Sequence, residues 1–236
     1  MNALAKKLGL SDDLAFYDVY SLDEPELSAH IPRPVYALLT IIPLTPAWKE
    51  DREKEDAALG DPAKYYDGSP ADAGEQPIIW FEQIIGDACG SYGLLHCAIN
   101  GAAAKFILPG STLEHLRNDA MPLARAERAQ LLHDSEAFEE AHRSVAPMGD
   151  TAEPVSGTPH AHRGQHFVAY VKANGHLWEL EGCRDGPLDR GELGPEDDVL
   201  SPKALALGLK RIVNLVADSG VEDLRFSCIA LAPRQG

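Results

Sequence analysis

Residues 166–182, HFVAYVKANGHLWELEG, contain two strand-like runs joined by a tight turn. Each run is rich in apolar and β-branched or aromatic residues, and Asn174-Gly175 is a strong signal for a two-residue hairpin turn. Side chains alternate between the two faces of a strand, so His166 shares a face with every second residue that follows it. A tight hairpin brings the end of the second strand back beside the start of the first. We therefore expect His166 and Glu181 to be neighbours.

Other segments predict a sheet and helices around this hairpin. Residues 34–44, PVYALLTIIPL, form a continuous apolar run that is typical of a strand buried on both faces. Residues 224–233 predict a further strand, and residues 88–108, apolar nearly all round, predict an interior helix. The charged stretch 45–76 predicts a helical piece followed by a surface excursion. Helical periodicity marks two more segments, 135–146 and 201–220.

A long stretch without regular periodicity, from about residue 145 to 164, precedes the hairpin. Its content of Pro, Gly, Ser and Thr is incompatible with a helix or a strand. Loops of this length inside a compact domain are commonly either functional or disordered. The residues themselves favour neither explanation.

The composition limits the domain count and the classes of partner. A chain of 236 residues with 44% hydrophobic content fits one domain, which we place at 1–236. With 21 Lys+Arg against 37 Asp+Glu, the formal net charge is -16, which repels nucleic acid and anionic lipid. Such acidity serves solubility more often than it attracts a basic protein partner. We expect a monomer that binds neither nucleic acid nor membrane.

The cysteine usage indicates a reducing compartment. Cys89, Cys97, Cys183 and Cys228 form no C-x-x-C pair, and no signal-peptide pattern opens the sequence. No apolar run approaches the roughly 20 residues that span a bilayer. We expect a cytoplasmic protein, with the nucleus as a second compartment, in which Cys97, Cys183 and Cys228 are buried structural thiols.

Residues 81–93, FEQIIGDACGSYG, supply a candidate nucleophile. Cys89 stands where a helix is expected to begin, and a helix N-terminus favours thiolate over thiol. His166 is the candidate base for this thiol, and Glu181 is the candidate acid that orients the base. Gln83, six positions before Cys89, could donate a side-chain hydrogen bond to the oxyanion formed when the thiolate attacks a carbonyl.

Each of these residues has a simpler explanation when it is taken alone. A single cysteine is usually a buried apolar residue, and a glutamate at a strand end is usually solvated. The histidines His160, His162 and His166 lack a cysteine or acidic partner at metal-ligand spacing, so no metal is expected. No phosphate loop or dinucleotide fingerprint occurs, so no organic cofactor is expected.

Together, these motifs resemble those of the ubiquitin carboxyl-terminal hydrolases. Residues 83–94, QIIGDACGSYGL, are similar to the family's nucleophile motif, and residues 166–182 are similar to the segment that carries its base and acid. The opening region, residues 8–45, also resembles the family, so the resemblance covers almost the whole chain. It implies a papain-like α/β (α+β) fold with a central, mainly antiparallel sheet flanked by helices and a knotted backbone path.

The resemblance also implies an activity, the hydrolysis of small adducts or short peptides from the C-terminal glycine of ubiquitin or a ubiquitin-like modifier. In this family pattern Cys89 matches the nucleophile, His166 the general base and Gln83 the oxyanion donor. The stretch at about 145–164 matches the family's crossover loop, which spans the active-site cleft and limits the size of the leaving group.

Two positions depart from the family pattern. Glu181 stands where the pattern has Asp, and its extra methylene could misplace the carboxylate by about 1 Å, an error that can cost about 10²-fold in rate. Asp87 stands where the pattern has Asn, and its charge would oppose formation of a thiolate. We expect Asp87 to serve instead as the N-cap of the helix that follows.

Three other functions remain compatible with the residues. One is another papain-like cysteine peptidase, although the 77 positions between Cys89 and His166 are fewer than the roughly 130 of papain itself. A second is a weakly active or inactive ubiquitin-binding module, which Glu181 and Asp87 would suggest. The third is an acyltransferase that delivers the acyl group to an amine.

Overall fold

This computed structural model describes residues 1–59, 77–145, 165–220 and 226–235. The expected crossover loop, apart from Val145, and the expected surface excursion after residue 59 lie outside these ranges, as do His160 and His162. No helix in the described ranges is both long enough and apolar enough to cross a membrane.

A single antiparallel sheet forms the centre of the described structure. Its strands are β1 (Leu14–Asp18), β2 (Ala37–Pro43), β3 (Gln165–Ala173), β4 (His176–Leu180), β5 (Leu188–Glu192) and β6 (Ser227–Pro233). Their order across the sheet is β1-β6-β2-β3-β4-β5, and each neighbouring pair is antiparallel. The predicted strands in 34–44 and 224–233 are confirmed as two of the central ones.

The predicted hairpin is formed by β3 and β4. Asn174 and Gly175 have φ values of 53° and 76°, as a type I′ turn requires at both central positions. The turn pairs Ala173 with His176, and the ladder continues to Ala169 opposite Leu180. Because β2 pairs with the other edge of β3, the hairpin is anchored to the centre of the sheet.

Helices cover both faces of this sheet. They are α1 (Asn2–Leu8), α2 (Pro46–Leu59), α3 (Cys89–Ile99), α4 (Thr112–Ala120), α5 (Arg125–His133), α6 (Glu136–Val145), α7 (Pro202–Leu207) and α8 (Leu209–Asp218). One core contains buried residues of α1 and α3–α6, and the other contains Trp48 of α2 and buried residues of α7 and α8. Along β3, Ala169 and Val171 join the first core, whereas Val168 and Tyr170 join the second. The expected sheet flanked by helices is confirmed.

The interior helix is shorter than the 88–108 predicted. It ends at Ile99 because Asn100 is extended, with φ −110° and ψ 157°, and Gly101 has a left-handed φ of 57°. A Cβ on Gly101 would lie 2.2 Å from the carbonyl oxygen of Lys172, a distance that no other residue type could accept. The chain continues as a 3-10 helix to Phe106.

The helical pattern at 201–220 folds as two helices rather than one. Gly208 separates α7 from α8. A Cβ at this position would lie 2.9 Å from a ring carbon of Tyr170. The glycine therefore lets the junction between the helices approach β3 closely.

Candidate active site

Cys89 is the first residue of α3, as predicted. The first helical hydrogen bonds run from the N–H groups of Ser91 and Tyr92 to the carbonyl oxygen of Ala88, at 2.9 and 3.0 Å. The N–H groups of Cys89 and Gly90 precede these bonds, so neither has an acceptor within the helix. The positive end of the helix dipole thus lies at the half-buried thiol and favours negative charge there.

Asp87 does not cap this helix, so that prediction is wrong. The N-cap residue is Ala88, with no side-chain cap hydrogen bond. Asp87 instead has a left-handed φ of 56° and an exposed side chain. Asn and Asp are the non-glycine residues that best tolerate this region. The backbone turn that leads into Cys89 therefore explains why a short polar residue occupies this position.

The segment before Cys89 is held by one side chain from the last turns of α3 and by one from the residue that follows the helix. Asn100 accepts a hydrogen bond from the N–H of Ile79 at 2.8 Å and donates one to its carbonyl at 2.9 Å. The N–H of Phe81 donates to Nε2 of His96 at 3.0 Å. Burial lowers the pKa of His96 to about 3, so the imidazole is neutral and can accept this bond. Residues 79–81 are thereby fixed against the helix that carries the thiol.

Gln83 lies beside the turn that follows Glu181. Its N–H donates to the carbonyl of Gly182 at 2.7 Å, and Nε1 of Trp80 donates to the carbonyl of Glu181 at 3.0 Å. The side-chain amide of Gln83 donates to the carbonyl of Ile85 at 3.1 Å. An amide nitrogen carries two hydrogens, so one further donor remains for a bound substrate.

His166 and Glu181 are in direct contact, which confirms that they are neighbours. Nε2 of His166 lies 2.6 Å from Oε1 of Glu181, and the N–H of Cys183 donates to the same oxygen at 2.7 Å. The Glu181 side chain is fully buried and His166 is 8% exposed. The longer side chain of Glu181 therefore still places its carboxylate against the imidazole, although its extra methylene was expected to displace it. Because Glu181 contacts Nε2, the ring nitrogen that faces away from Glu181 is Nδ1.

The contacts of this pair favour its charged form. Burial alone would lower the pKa of His166, but contacts with Cys183, Cys89 and Glu181 outweigh it and raise that pKa to about 12. Burial would likewise raise the pKa of Glu181, but His166 and then Arg52 hold it below its usual value. At neutral pH the pair is thus an imidazolium and a carboxylate, and both thiols lie close to the same imidazole.

Arg52, on α2, supports the buried carboxylate from behind and was not identified from the sequence. Its Nε lies 3.5 Å from Oε2 of Glu181, and its guanidinium donates to the carbonyl of Cys183. The guanidinium also lies over the ring of Trp48, 5.4 Å from the ring centre. No motif marks Arg52, because it reaches the site only through the packing of α2.

A buried charge cluster, made of Glu55, Asp56, Glu179, Arg184 and Arg190, joins α2 to the far side of the hairpin. Arg184 lies 2.7 Å from Asp56 and 2.8 Å from Glu55. Arg190 donates to Glu179 at 2.8 Å. Arg184 and Glu179 are only 1% and 2% exposed. Since Arg52 belongs to the same helix as two of these acids, the cluster also sets the position of Arg52.

Cys183 is not the buried structural thiol that was expected. It is exposed, and its sulfur lies within 4.8 Å of ligand atoms of both His166 and Glu181. The ladder of the hairpin ends at Ala169 opposite Leu180, and the chain then turns. In this turn the N–H of Cys183 donates to Oε1 of Glu181 and the N–H of Arg184 donates to the carbonyl of Glu181, which keeps Cys183 beside the carboxylate.

Two clefts adjoin these residues. One, of about 420 Å³, is lined in part by His166, Cys183 and Arg52. The other, of about 390 Å³, is lined in part by Cys89 and His142. In the second cleft Oγ of Ser91 lies 2.7 Å from Nδ1 of His142. The imidazole therefore lines the first cleft and the Cys89 thiol lines the second.

Comparison with known proteins identifies the family. Residues 1–214 match the model of the ubiquitin carboxyl-terminal hydrolases, family 1. Ubiquitin carboxyl-terminal hydrolase 3 of Arabidopsis thaliana is 28% identical over 99% of this chain and 90% of its own. Isozyme L1 of Rattus norvegicus is 29% identical over 98% and 93%.

A solved structure shows the same fold. The UCH37 catalytic domain of Trichinella spiralis, bound to ubiquitin vinyl methyl ester, superposes with a TM-score of 0.68 at 21% identity, over 99% of this chain and 91% of that domain. Fold, motif segments and family model agree along nearly the whole sequence. The chain belongs to the ubiquitin carboxyl-terminal hydrolases of family 1.

Proposed function

We propose that this protein is a cysteine-type deubiquitinating hydrolase that removes small adducts or short peptides from the C-terminal glycine of ubiquitin. The observation that carries the proposal is the 2.6 Å contact between His166 and Glu181, made by an imidazole whose pKa the Cys89 thiol also helps to raise. The names of the relatives supply the substrate, since each is a ubiquitin carboxyl-terminal hydrolase.

In this proposal the Cys89 thiolate attacks the carbonyl carbon of the glycine while His166 holds the thiol proton. The amide of Gln83 donates to the oxyanion that forms. Collapse of this intermediate breaks the C–N bond, His166 delivers its proton to the leaving amine, and a thioester remains on Cys89. His166 then takes a proton from water, the hydroxide attacks the thioester carbonyl, and the C–S bond breaks. This step releases the glycine carboxylate and returns Cys89 to the thiolate beside the imidazolium. Glu181 keeps the imidazole aligned throughout.

The test is turnover of ubiquitin that carries a fluorogenic amide on its C-terminal glycine. We expect hydrolysis, and much slower hydrolysis of a short peptide amide with the same terminal residues, because only folded ubiquitin can contribute binding remote from the reacting bond. Binding without turnover would contradict the hydrolase and indicate a ubiquitin-binding module. A new amide product in the presence of added amine would indicate acyl transfer.

We also propose a monomer that works in the cytoplasm, with the nucleus as a second compartment. The support is that all four cysteines are free thiols and that the chain has a formal net charge of -16. Light scattering of the purified protein measures its mass in solution. Imaging of the tagged protein in cells locates it.

Replacing Gln83 with alanine is expected to lower kcat by roughly 10²–10³, as does the loss of one oxyanion donor in other enzymes. The KM should change little, because the donor acts on charge that develops only in the transition state. Steady-state kinetics on the fluorogenic ubiquitin amide provide the measurement. A changed KM with an unchanged kcat would instead assign Gln83 to ground-state binding.

Replacing Glu181 with glutamine should shift the alkaline limb of the pH profile of kcat/KM to lower pH. The carboxylate is one of the groups that raise the pKa of His166, and the leaving amine needs the protonated imidazole as its acid. Once the charge is removed, the imidazolium loses its proton at lower pH. Glu181→Asp keeps the charge, so its limb should stay near that of the wild type even if kcat falls. If the alkaline limbs of the wild type and Glu181→Gln superimposed, the Glu181 carboxylate would not be what keeps His166 protonated.

A further inference from the structure

A second cation lies beside the buried carboxylate of Glu181. Nε of Arg52 is 3.5 Å from Oε2 of Glu181, whereas His166 and the N–H of Cys183 both contact the other oxygen, Oε1. The two atoms that face each other, Nε and Oε2, are both buried, and among the described residues neither has a hydrogen-bond partner. His166 and Arg52 therefore each contact one oxygen of the same carboxylate.

The surroundings of Arg52 hold its guanidinium in this place. It donates to the carbonyl of Cys183 and lies over the ring of Trp48. Asp56 is also 3.5 Å from Nε of Arg52, but Arg184 approaches Asp56 more closely, at 2.7 Å. Because Arg184 balances the charge of Asp56, the charge of Arg52 remains for Glu181.

In the proposed reaction, Glu181 loses its other cation halfway through. When the leaving amine takes the proton of the imidazolium, the C–N bond breaks, a thioester remains on Cys89 and the ring of His166 becomes neutral. Burial then favours uptake of a proton by the carboxylate, because one of the two cations that hold down the pKa of Glu181 has lost its charge.

An extra proton on this pair would stop the second half of the reaction. If the proton lay on Glu181, the carboxyl group would donate to Nε2 of His166, and the neutral ring would carry its own hydrogen on Nδ1. If the proton lay on the ring, His166 would be an imidazolium. In neither form can Nδ1 accept a proton from water, so the thioester would not be hydrolysed.

We propose that Arg52 is a positioning residue for hydrolysis of the thioester: its permanent charge keeps the Glu181–His166 pair free of an extra proton, with Nδ1 open to water. This role rests on the proposed function. An arginine suits it because the guanidinium stays protonated throughout the cycle. The other titratable groups around the pair lie on α2, on α3 and in the turn after β4: Lys49, Glu53 and Asp56, then Cys89 and His96, then Cys183 and Asp185.

The test is the pH dependence of the hydrolysis of ubiquitin that carries a C-terminal thioester. A thiolate leaves without needing a proton, so kcat on this substrate reports the second half of the reaction. Arg52→Gln removes a positive charge, and the pair should then bind the extra proton more tightly. We expect the acidic limb of kcat to move up by about one pH unit, the low end of the effect of a neighbouring charge, and the rate on that limb to fall about tenfold.

Three further variants separate charge from structure. Arg52→Met keeps an apolar contact with Trp48 but no charge, so its limb should move as that of Arg52→Gln does. Arg52→Lys keeps the charge, and its limb should stay near that of the wild type even if kcat falls. Lys49→Gln removes a positive charge from the same helix and the same cleft and should leave the limb in place. A loss of alignment alone would lower kcat in the neutral variants without moving the limb, which would overturn the proposal.

The charge effect can also be measured without turnover. In Cys89→Ala no thiolate can form, as in the thioester, and the His166 ring can be titrated by NMR. We expect the ring to stay protonated to a pH about one unit higher in Cys89→Ala/Arg52→Gln than in Cys89→Ala. Equal titrations would overturn the proposal even if the wild type is active. If the titration moves but the wild type hydrolyses no ubiquitin substrate, the charge effect of Arg52 stands and the proposed function fails.

Discussion

Cys89→Ala and His166→Ala are each expected to lower kcat for the ubiquitin amide by roughly 10⁶, as when one member of a nucleophile–base pair is removed. The thiol at the start of α3 and the imidazole on β3 lie in one site and act as a unit. Neither can complete the reaction without the other. The rate of fluorophore release, measured with the purified variants, provides the test.

The double variant Cys89→Ala/His166→Ala should be no slower than either single variant, because residues that act as a unit are not additive. Circular dichroism must show an unchanged fold in all three. Cys228→Ala, which alters a thiol outside the site, should retain its activity. If Cys89→Ala stays active and the further change Cys183→Ala removes that activity, Cys183 is the nucleophile and our assignment is wrong.

Arg184→Ala is expected to lower the free energy of unfolding by about 3–5 kcal/mol, the usual effect of removing one partner from a buried ion pair. Its side chain is fully buried between Asp56, Glu55 and Glu179, so the substitution removes one of the two arginines that Glu55 and Glu179 share and leaves only Arg190 between them. For a chain of this size the change corresponds to a fall in Tm of about 6–20 °C. Urea unfolding and calorimetry measure the two quantities.

Lys54→Ala is the matched control for this prediction. Lys54 also pairs with an acid on α2, Glu50, at 2.7 Å, but both side chains are about 70% exposed, and surface pairs of this kind contribute little. Its Tm should remain close to that of the wild type. If the free energy of unfolding of Arg184→Ala lies within about 1 kcal/mol of that of the wild type, well short of the expected loss, Arg190 alone balances the acids of the cluster and Arg184 does not stabilise the fold.

The elements that could be predicted are those whose signal is local. The Asn174-Gly175 turn set the register of β3 against β4 as far as Ala169 opposite Leu180, and Glu181, the next residue, reaches His166 from the end of that ladder. The apolar run in β2 could be recognised because a strand buried on both faces has few polar residues. The start of α3 at Cys89 followed from the run of small and apolar residues after it.

The elements that were missed depend on contacts between distant parts of the chain. β5 forms beside β4 through a short, polar run that carries no strand pattern. Arg52 reaches Glu181 because the buried charge cluster and the packing of Trp48 in the second core hold α2 against the rest of the fold. Cys183 was misassigned for another reason: a cysteine outside any motif was assumed to be buried, whereas the turn after β4 places it beside Glu181.

The two cores on opposite faces of the sheet each contain one sheltered thiol. Cys97 belongs to the core that packs under α3, and Cys228 to the core under α7 and α8. Burial raises the pKa of both thiols and shields them from solvent. Alkylating reagents can therefore modify each thiol only when the core around it opens. The labelling rates of these two cysteines, resolved by mass spectrometry, therefore report separately how often each core opens. A ligand that stabilised only one core would slow the labelling of only the cysteine in that core.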